Sequence, residues 1–418
     1  NNRLGYFPGV AVAWKLSSEP FLQDVPYLNM VKLRASYGVS GSDDIGNYSS
    51  LAYYIPANYQ LMGGYRPGNL RNPDLKWETT AQLNVGLDLS VFSQRLNLYA
   101  DYYIKTTTDL LTYERIPWES GFDHRLVNMG KIENRGFELG LDARILTGDL
   151  KWDLGASLSN NRNTILELPD GDVIRTYGIF EGIAREGESL GSIYGYKVTG
   201  IYQTESEIQL QNTGVDPSGY GYGPFQPGDL IFEDMNGDGE INEHDKTIIG
   251  CTAPDLYGGI HTTLDFKGIS LFALLNYAQG HEVVDGLRSI LESMSNYDNQ
   301  TTRTLERWKQ QGDQTGVPRA ALGDPSGNSR MSTRWIENGS YLRLKTVTLS
   351  YTLPEATINR IFLRKLTVYV SGQNLLTWGA FEGYDPEFST NADVMNAGLY
   401  YAGFPHTRVF LAGVRFGL

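Results

Sequence analysis

The chain has 418 residues, with 35 Lys and Arg against 48 Asp and Glu for a net charge of -13, and it carries 47 Gly, 27 Tyr and a single Cys. Without clustered cations this acidic balance excludes a nucleic-acid partner, because a polyanion is bound through grouped Lys and Arg. No run approaches the ~18 consecutive apolar residues of a spanning helix, so transmembrane helices are excluded while membrane strands are not.

Cys251 alone can make neither an internal disulfide nor a thiolate metal site. No signal peptide precedes Asn1, and the chain opens just before a strand, which is the expectation for an exported protein that has lost its N-terminal part.

In chain order, Ser17 to Met30 is predicted as a brief amphipathic helix, and Val31 to Val39 alternates apolar and polar residues, the period of a strand with two unlike faces. A long connection from Ser42 to Leu75 follows. From Thr80 to Val91 one face carries Ala81, Leu83, Val85, Leu87 and Leu89, and the other carries Gln82, Asn84, Gly86, Asp88 and Ser90. After the tight Ser93-Gln94-Arg95 turn, Arg95 to Lys105 alternates in the same way. Phe137 to Ile145 and Trp152 to Asn161 repeat the pattern around a short link, Leu146 to Leu150.

The long stretch from Leu166 to Asp255 leads to the strand Ile260 to Phe266, and Lys267-Gly268 turns the chain into Ile269 to Tyr277. That strand is less regular, since Phe272 and Leu274 add apolar residues to the polar face. Beyond the long connection Val284 to Gly339, the period slips at Lys345-Thr346, as at a β-bulge. Pro354 to Phe362 is predicted as a second brief helix, Leu366 to Gln373 as a strand and Gly379 to Gly403 as a long loop. Val409 to Leu418 places Phe410, Ala412, Val414, Phe416 and Leu418 on one face, as suits a closing strand.

This amounts to about eleven strands, several near the ~9–11 residues that cross a bilayer at a tilt. Short and long connections alternate, as in an all-β transmembrane antiparallel up-and-down β-barrel with short periplasmic turns and long extracellular loops. Trp14, Tyr37, Trp77, Phe92, Trp152 and Trp378 fall near strand ends, where aromatic girdles lie. Arg34, Asn84, Asp101, Glu138, Asp142, Arg144 and Asp153 are predicted to face the lumen.

One local motif carries chemistry. Asp234, Asn236, Asp238, Glu240, Asn242 and Asp245 place oxygen donors at the first, third, fifth, seventh, ninth and twelfth positions of an EF-hand-type loop, with Gly239 at the sixth. The seventh donates through its backbone carbonyl, and hard Ca²⁺ prefers such oxygens. Asp245 stands where an EF-hand has Glu, a shorter arm that resembles dockerin loops. The expected cofactor is a structural Ca²⁺, against the alternative of a polar turn without metal.

The five His are scattered, and no nucleophile, P-loop or zinc-helix motif is present, so an enzyme is not expected. In the outer loops, Tyr53, Tyr54, Tyr59, Tyr65, Trp118, Phe122, Tyr220 and Tyr222 are candidate ligand-binding residues, able to stack on sugars or pack on peptide side chains. The same rings could instead pack the loops against each other.

Several longer segments carry a family resemblance: KLRASYGVSG from Lys32, NPDLKWETTAQLNVGLDL from Asn72 and GKIENRGFELGL from Gly130, then DMNGDGEINEHDKTIIG from Asp234, YLRLKTVTLSYTLP from Tyr341, LTVYVSGQNLLTW from Leu366 and GYDPE from Gly383. In these segments, which follow the family's order over nearly the whole chain, the protein resembles the SusC/RagA-type TonB-dependent transporters of Gram-negative outer membranes. The resemblance implies a barrel of about 22 strands around an N-terminal plug. Residues 1–418 would be its C-terminal part, with the plug and the earlier strands absent.

It implies active import of an oligosaccharide or peptide, driven through TonB, under a SusD-like lipoprotein lid. The partners would then be that lid, TonB by way of the missing N-terminal part, the rest of the barrel, a glycan or peptide ligand and outer-membrane lipid. A passive porin or adhesin barrel and a soluble secreted carbohydrate-binding β-sandwich are the alternatives.

Overall fold

The computed structural model describes residues 4–44, 48–59, 62–122, 124–354, 363–387, 389–390 and 394–417. Eleven strands form one sheet: β1 (Gly9–Lys15), β2 (Leu28–Ser42), β3 (Glu78–Val91), β4 (Leu96–Thr108), β5 (Lys131–Thr147), β6 (Leu150–Glu167), β7 (Leu256–Phe266), β8 (Ile269–Gln279), β9 (Tyr341–Thr352), β10 (Lys365–Gly379) and β11 (Val409–Gly417). Each pairs antiparallel with the next in the chain, the meander of an up-and-down barrel wall. β1 and β11 are paired on one side only, and such open edges are not tolerated in lipid.

The strands outrun their predicted ends, with 18 residues in β6 and 17 in β5, more than the ~9–11 that a bilayer crossing needs. Connections alternate as expected. Residues 92–95, 148–149 and 267–268 are tight turns on one side, whereas 43–77, 109–130, 168–255, 280–340 and 380–408 lie on the other. Lys267 and Gly268 both have positive φ, 48° and 87°, the backbone of a two-residue hairpin matched to strand twist.

The β9 bulge lies where the period slips. Pairing steps from Leu344–Leu376 to Thr346–Gln373, leaving Lys345 unmatched. A second bulge, unanticipated from sequence, leaves Ile145 unmatched between the Leu146–Trp152 and Arg144–Asp153 pairs. The helix expected over Ser17 to Met30 is corrected: one 3-10 turn, Leu16–Ser18, is followed by turns until β2. Pro20 and Pro26 lack the N–H that would extend it, and each disfavours helical backbone just before it. In the helix expected over Pro354 to Phe362, residues 355–362 lie outside the described residues.

Burial on the wall is inverted relative to a soluble sheet. On β3 the polar face is buried, with Asp88 8% and Ser90 4% exposed, while Leu83 is 42% and Val85 47% exposed on the apolar face. An apolar face left open over a whole sheet requires a non-aqueous surrounding. Trp14, Phe92 and Trp378 are exposed at strand ends, whereas Tyr37, exposed too, lies inside β2 because that strand runs on to Ser42; Trp77 packs on Phe7 with centroids 5.6 Å apart, and the Trp152 indole N–H donates to Thr262 Oγ1 at 2.9 Å.

The predicted lumen residues share the polar face. Arg34 lies opposite Gly86, Gly86 opposite Asp101, and Asp101 opposite Glu138. Arg34 Nη2 donates to Asp88 Oδ1 and to Asp101 Oδ2, both at 2.9 Å, so its guanidinium crosses β3. Gly86 makes the crossing possible, since a Cβ there would stand 2.5 Å from Asp101 Oδ1 and 2.7 Å from Arg34 Cζ.

Candidate functional site

The long connections are folded structures rather than bare loops. Val173–Tyr177, Phe180–Ala184, Ser192–Gly195 and Thr247–Cys251 make a four-stranded sheet, and Ile336–Asn338, Glu282–Asp285 and Leu399–Tyr400 a three-stranded one. Two apolar cores sit among them. Tyr196, Ile201, Tyr202, Phe225, Leu230, Phe232 and Ile241 form the first, and Phe180, Ile193, Val284, Met331, Trp335 and Leu399 the second. The hydrophobic core of this chain therefore lies in its connections, because the wall sends its apolar side chains outward.

Arg330 anchors the first core. Its guanidinium carbon stands 4.2 Å from the Tyr222 ring centroid, 5.0 Å from that of Phe232 and 5.3 Å from that of Tyr196. Its Nη2 donates to Asn212 Oδ1 at 2.6 Å and to the Ser326 carbonyl at 3.1 Å. A guanidinium enclosed by π-faces exchanges hydration for cation–π attraction of order 1–2 kcal/mol per well-placed ring.

The candidate ligand-binding aromatics are divided among three connections. Tyr54–Tyr59 pairs with Met62–Pro67 as a hairpin between β2 and β3; Tyr54 and Tyr65 are largely exposed, and Tyr59 belongs to the hairpin backbone. The Tyr53 ring lies against Gly68, while its backbone N–H donates to Asn69 Oδ1 at 3.1 Å. Trp118 opens a 3-10 turn, Trp118–Ser120, and the Phe122 N–H donates to Ser120 Oγ at 3.2 Å between β4 and β5. Tyr220 is open to solvent, whereas Tyr222 packs under Arg330 and its phenol is pushed up by burial. Among the described residues no ring contact joins these three groups.

The acidic loop is tightly wound. Asp234 Oδ1 accepts from the Gly237 N–H at 2.7 Å and Oδ2 from that of Gly239 at 2.8 Å, and these bonds, led by that of Gly239, hold its carboxyl below the usual range. Asn236 Oδ1 accepts from the Asp238 N–H at 3.1 Å, and Asp238 Oδ1 from that of Glu240 at 2.8 Å. Asp245, wholly buried, accepts from the Met235 N–H at 3.0 Å and the Asn242 N–H at 2.8 Å, which brings the twelfth position beside the first.

Asn242 Oδ1 caps the turn that follows, accepting from the His244 N–H at 2.9 Å, and Glu240 Oε2 accepts from Thr213 Oγ1 at 2.9 Å. The donor set is all oxygen, the chemistry that Ca²⁺ takes, and the Met235–Asp245 bond closes the loop, but the Asp234, Asp238 and Asp245 carboxylates are not gathered within 4.8 Å of one another. Asp234, Asp238 and Asp245 would supply the charge, with Asn236, Asn242 and the Glu240 carbonyl as neutral donors.

A further cluster joins motifs that are far apart in the chain. Arg343 of β9, 2% exposed, donates from Nε to Thr377 Oγ1 of β10 at 3.0 Å, from Nη1 to Glu387 Oε2 at 2.5 Å and from Nη2 to Asp385 Oδ1. His406 closes the ring, with Nδ1 2.6 Å from Asp385 Oδ2 and its backbone N–H 3.1 Å from the same oxygen. Asp385, Glu387 and His406 are close enough together to hold a metal ion, but the Arg343 guanidinium already lies against all three. It is an ion-pair latch between the YLRLK, LLTW and GYDPE segments. Sequence shows the three segments separately and gives no sign that they meet.

Residues 1–375 match the family model described as TonB dependent receptor-like, beta-barrel. TonB-dependent receptor P3 of Formosa agariphila is 35% identical over 433 residues, a match that spans 99% of this chain and 42% of that protein. TonB-dependent receptor SusC of Bacteroides thetaiotaomicron is 29% identical over 426 residues, spanning 99% of this chain and 40% of that protein. The solved structure of the RagAB peptide transporter superposes with a TM-score of 0.83 at 26% identity, covering 99% of this chain and 43% of that one. The chain thus spans less than half the length of these relatives. It belongs to the TonB-dependent receptor-like β-barrel family, whose members are receptors and transporters rather than enzymes.

Proposed function

We propose that the chain is the C-terminal half of the wall, with the outer loops, of a SusC-like importer in a Gram-negative outer membrane that brings an oligosaccharide or peptide inward. The observation that carries the reading is the inverted sheet, polar and buried on one face and apolar and exposed on the other, crowned on the long-loop side by folded connections with their own cores. Such a wall encloses a hydrated lumen within lipid, and the crown offers a rigid rim to a ligand and a lid. In this reading β1 and β11 pair with the other half of the barrel, TonB acts through a segment outside these residues, and a SusD-like lipoprotein covers the crown. A passive porin would share the wall but would not need an energised inner membrane.

The test is uptake of a labelled oligosaccharide and a labelled peptide by cells that carry or lack the whole gene, with and without a functional TonB. Uptake of one of them that needs both the gene and TonB is the expected result. Uptake independent of TonB overturns active import in favour of a porin. Failure of the tagged, detergent-solubilised transporter to retain a co-expressed lipoprotein overturns the lid.

The same proposal assigns a structural Ca²⁺ to Asp234, Asn236, Asp238, Glu240, Asn242 and Asp245, where it would stiffen the connection between β6 and β7. Terbium luminescence sensitised by nearby aromatics, displaced by Ca²⁺ and absent in Asp234→Ala, is expected. An unchanged signal in that variant overturns the assignment.

A further inference from the structure

The crown contains a polar cleft of about 410 Å³ between the helix Gly286–Leu291, the segment 303–317 and the strand Ile336–Asn338. Three arginines line it, Arg288, Arg303 and Arg334, and they differ in how their charge is met. Arg288 lies against Glu337 and 3.5 Å from Glu292, so it is neutralised within the fold. Arg303 meets Glu382 at 2.9 Å, an exposed pair at the rim that an incoming anion can exchange at little cost.

Arg334 has no carboxylate within 4.0 Å among the described residues. Its Nη2 donates to the Glu292 carbonyl at 2.7 Å and its Nη1 to that of Asn328 at 3.5 Å, while the guanidinium lies 4.2 Å from the centroid of the buried Trp335 ring. Burial depresses its pKa to about 10, with the Glu292 charge acting against that shift and the charges of Arg288 and Arg303 adding to it. In direct contact this largely buried cation meets only neutral carbonyls and a ring, while the charges of Glu292 and Asp324 reach it from beyond 4.0 Å. Those contacts leave donors of its planar fork free for an oxyanion, the partner that a guanidinium binds in bidentate fashion.

We propose that this cleft is a binding site for the carboxylate or sulfate group of a small ligand, anchored on Arg334 with Arg303 as the second cation. In the importer described above the ligand would be acidic cargo, a uronate- or sulfate-bearing oligosaccharide or an acidic peptide. That identification rests on the import reading, but oxyanion binding itself does not. At about 410 Å³ the cleft has room for about one sugar ring or a short peptide end.

The whole transporter, purified in detergent with its partner half, would be titrated with sodium sulfate and with sodium glucuronate against sodium chloride at equal ionic strength, followed by calorimetry. Saturable binding of sulfate, glucuronate or both, weakened at least tenfold in Arg334→Gln, is expected, and the preferred anion separates sulfated from uronate ligands. Equal binding by wild type and Arg334→Gln, or no binding of either anion beyond chloride, overturns the site. Should Arg334→Gln fail to fold, Glu382→Gln decides. Removing that exposed rim acid should tighten binding severalfold, and unchanged affinity overturns the proposal. Because calorimetry reads binding alone, anion binding by a transporter that fails the uptake test would refute the import reading and leave the site standing.

Discussion

Replacing Arg343 by Met keeps much of the side chain's length but leaves Asp385, itself 4% exposed, without its cation. Removing one member of a buried pair costs about 3–5 kcal/mol, mainly as the penalty of the stranded partner. The loss should stay local, because the latch ties the 380–408 connection to β9 and β10 while the wall keeps its own ladder. At about 1.4 kcal/mol per decade, the opening equilibrium of that connection should rise by roughly two to three and a half decades.

Two amides report it directly, since the N–H groups of Glu387 and His406 donate to Asp385 at 3.0 and 3.1 Å. Hydrogen exchange on the folded transporter should show both deprotected, with β9–β10 amides unchanged. Arg343→Met combined with Asp385→Asn should regain part of the Glu387 protection, because the neutral amide strands no charge at that position while its Oδ1 still accepts from that N–H. Unchanged exchange in Arg343→Met, or a double variant no better than the single one, refutes the reasoning.

Acid should open the same latch. Burial alone would raise the Asp385 pKa, but hydrogen bonds from Arg343 and His406 outweigh it and hold the carboxyl below its ordinary value. With the folded pKa below the unfolded one, near 4, its stabilisation is present above that pH and is lost as pH falls through the folded value. Exchange at His406 should therefore accelerate in acid, and Asp385→Asn should flatten that profile. Arg330→Ala removes a cation from three rings and two hydrogen bonds, so the 196–241 region should become protease-sensitive while the wall stays resistant. Gly86→Leu drives Cβ into Arg34 and Asp101, an overpacking cost of about 1–3 kcal/mol that should appear as a lower melting temperature of the barrel. If the acidic loop holds Ca²⁺, chelation should lower protection of residues 234–245, and Asp245→Ala should do so with or without the metal because Met235 and Asn242 lose their acceptor.

Strands, faces and turns were legible in the sequence because they follow from local periodicity. Alternation along Thr80 to Val91 records that one side meets apolar surroundings and the other polar ones, and this holds wherever the strand sits. Lys267-Gly268 announces its hairpin, and the slip at Lys345 its bulge, for the same reason. Even the motif at Asp234 is local, with every oxygen within twelve positions.

Other features depend on pairings that no local pattern encodes. The bulge at Ile145 falls where the predicted strand ends and the predicted link Leu146 to Leu150 begins, so no period remains there to show a slip. Arg34 reaches Asp101 only because register sets Gly86 between them. The connections looked like loops because their apolar residues, from Phe180 to Leu399, have no helical or strand period; they form cores only when segments as far apart in the chain as Phe180 and Leu399 come together. Arg343 and Asp385 read as one more cation and one more acid until the fold buried them side by side. Period-2 patterning determined the wall, whereas the crown, its latch and its cleft were decided by long-range contacts, since burial and charge pairing are properties of neighbours in space.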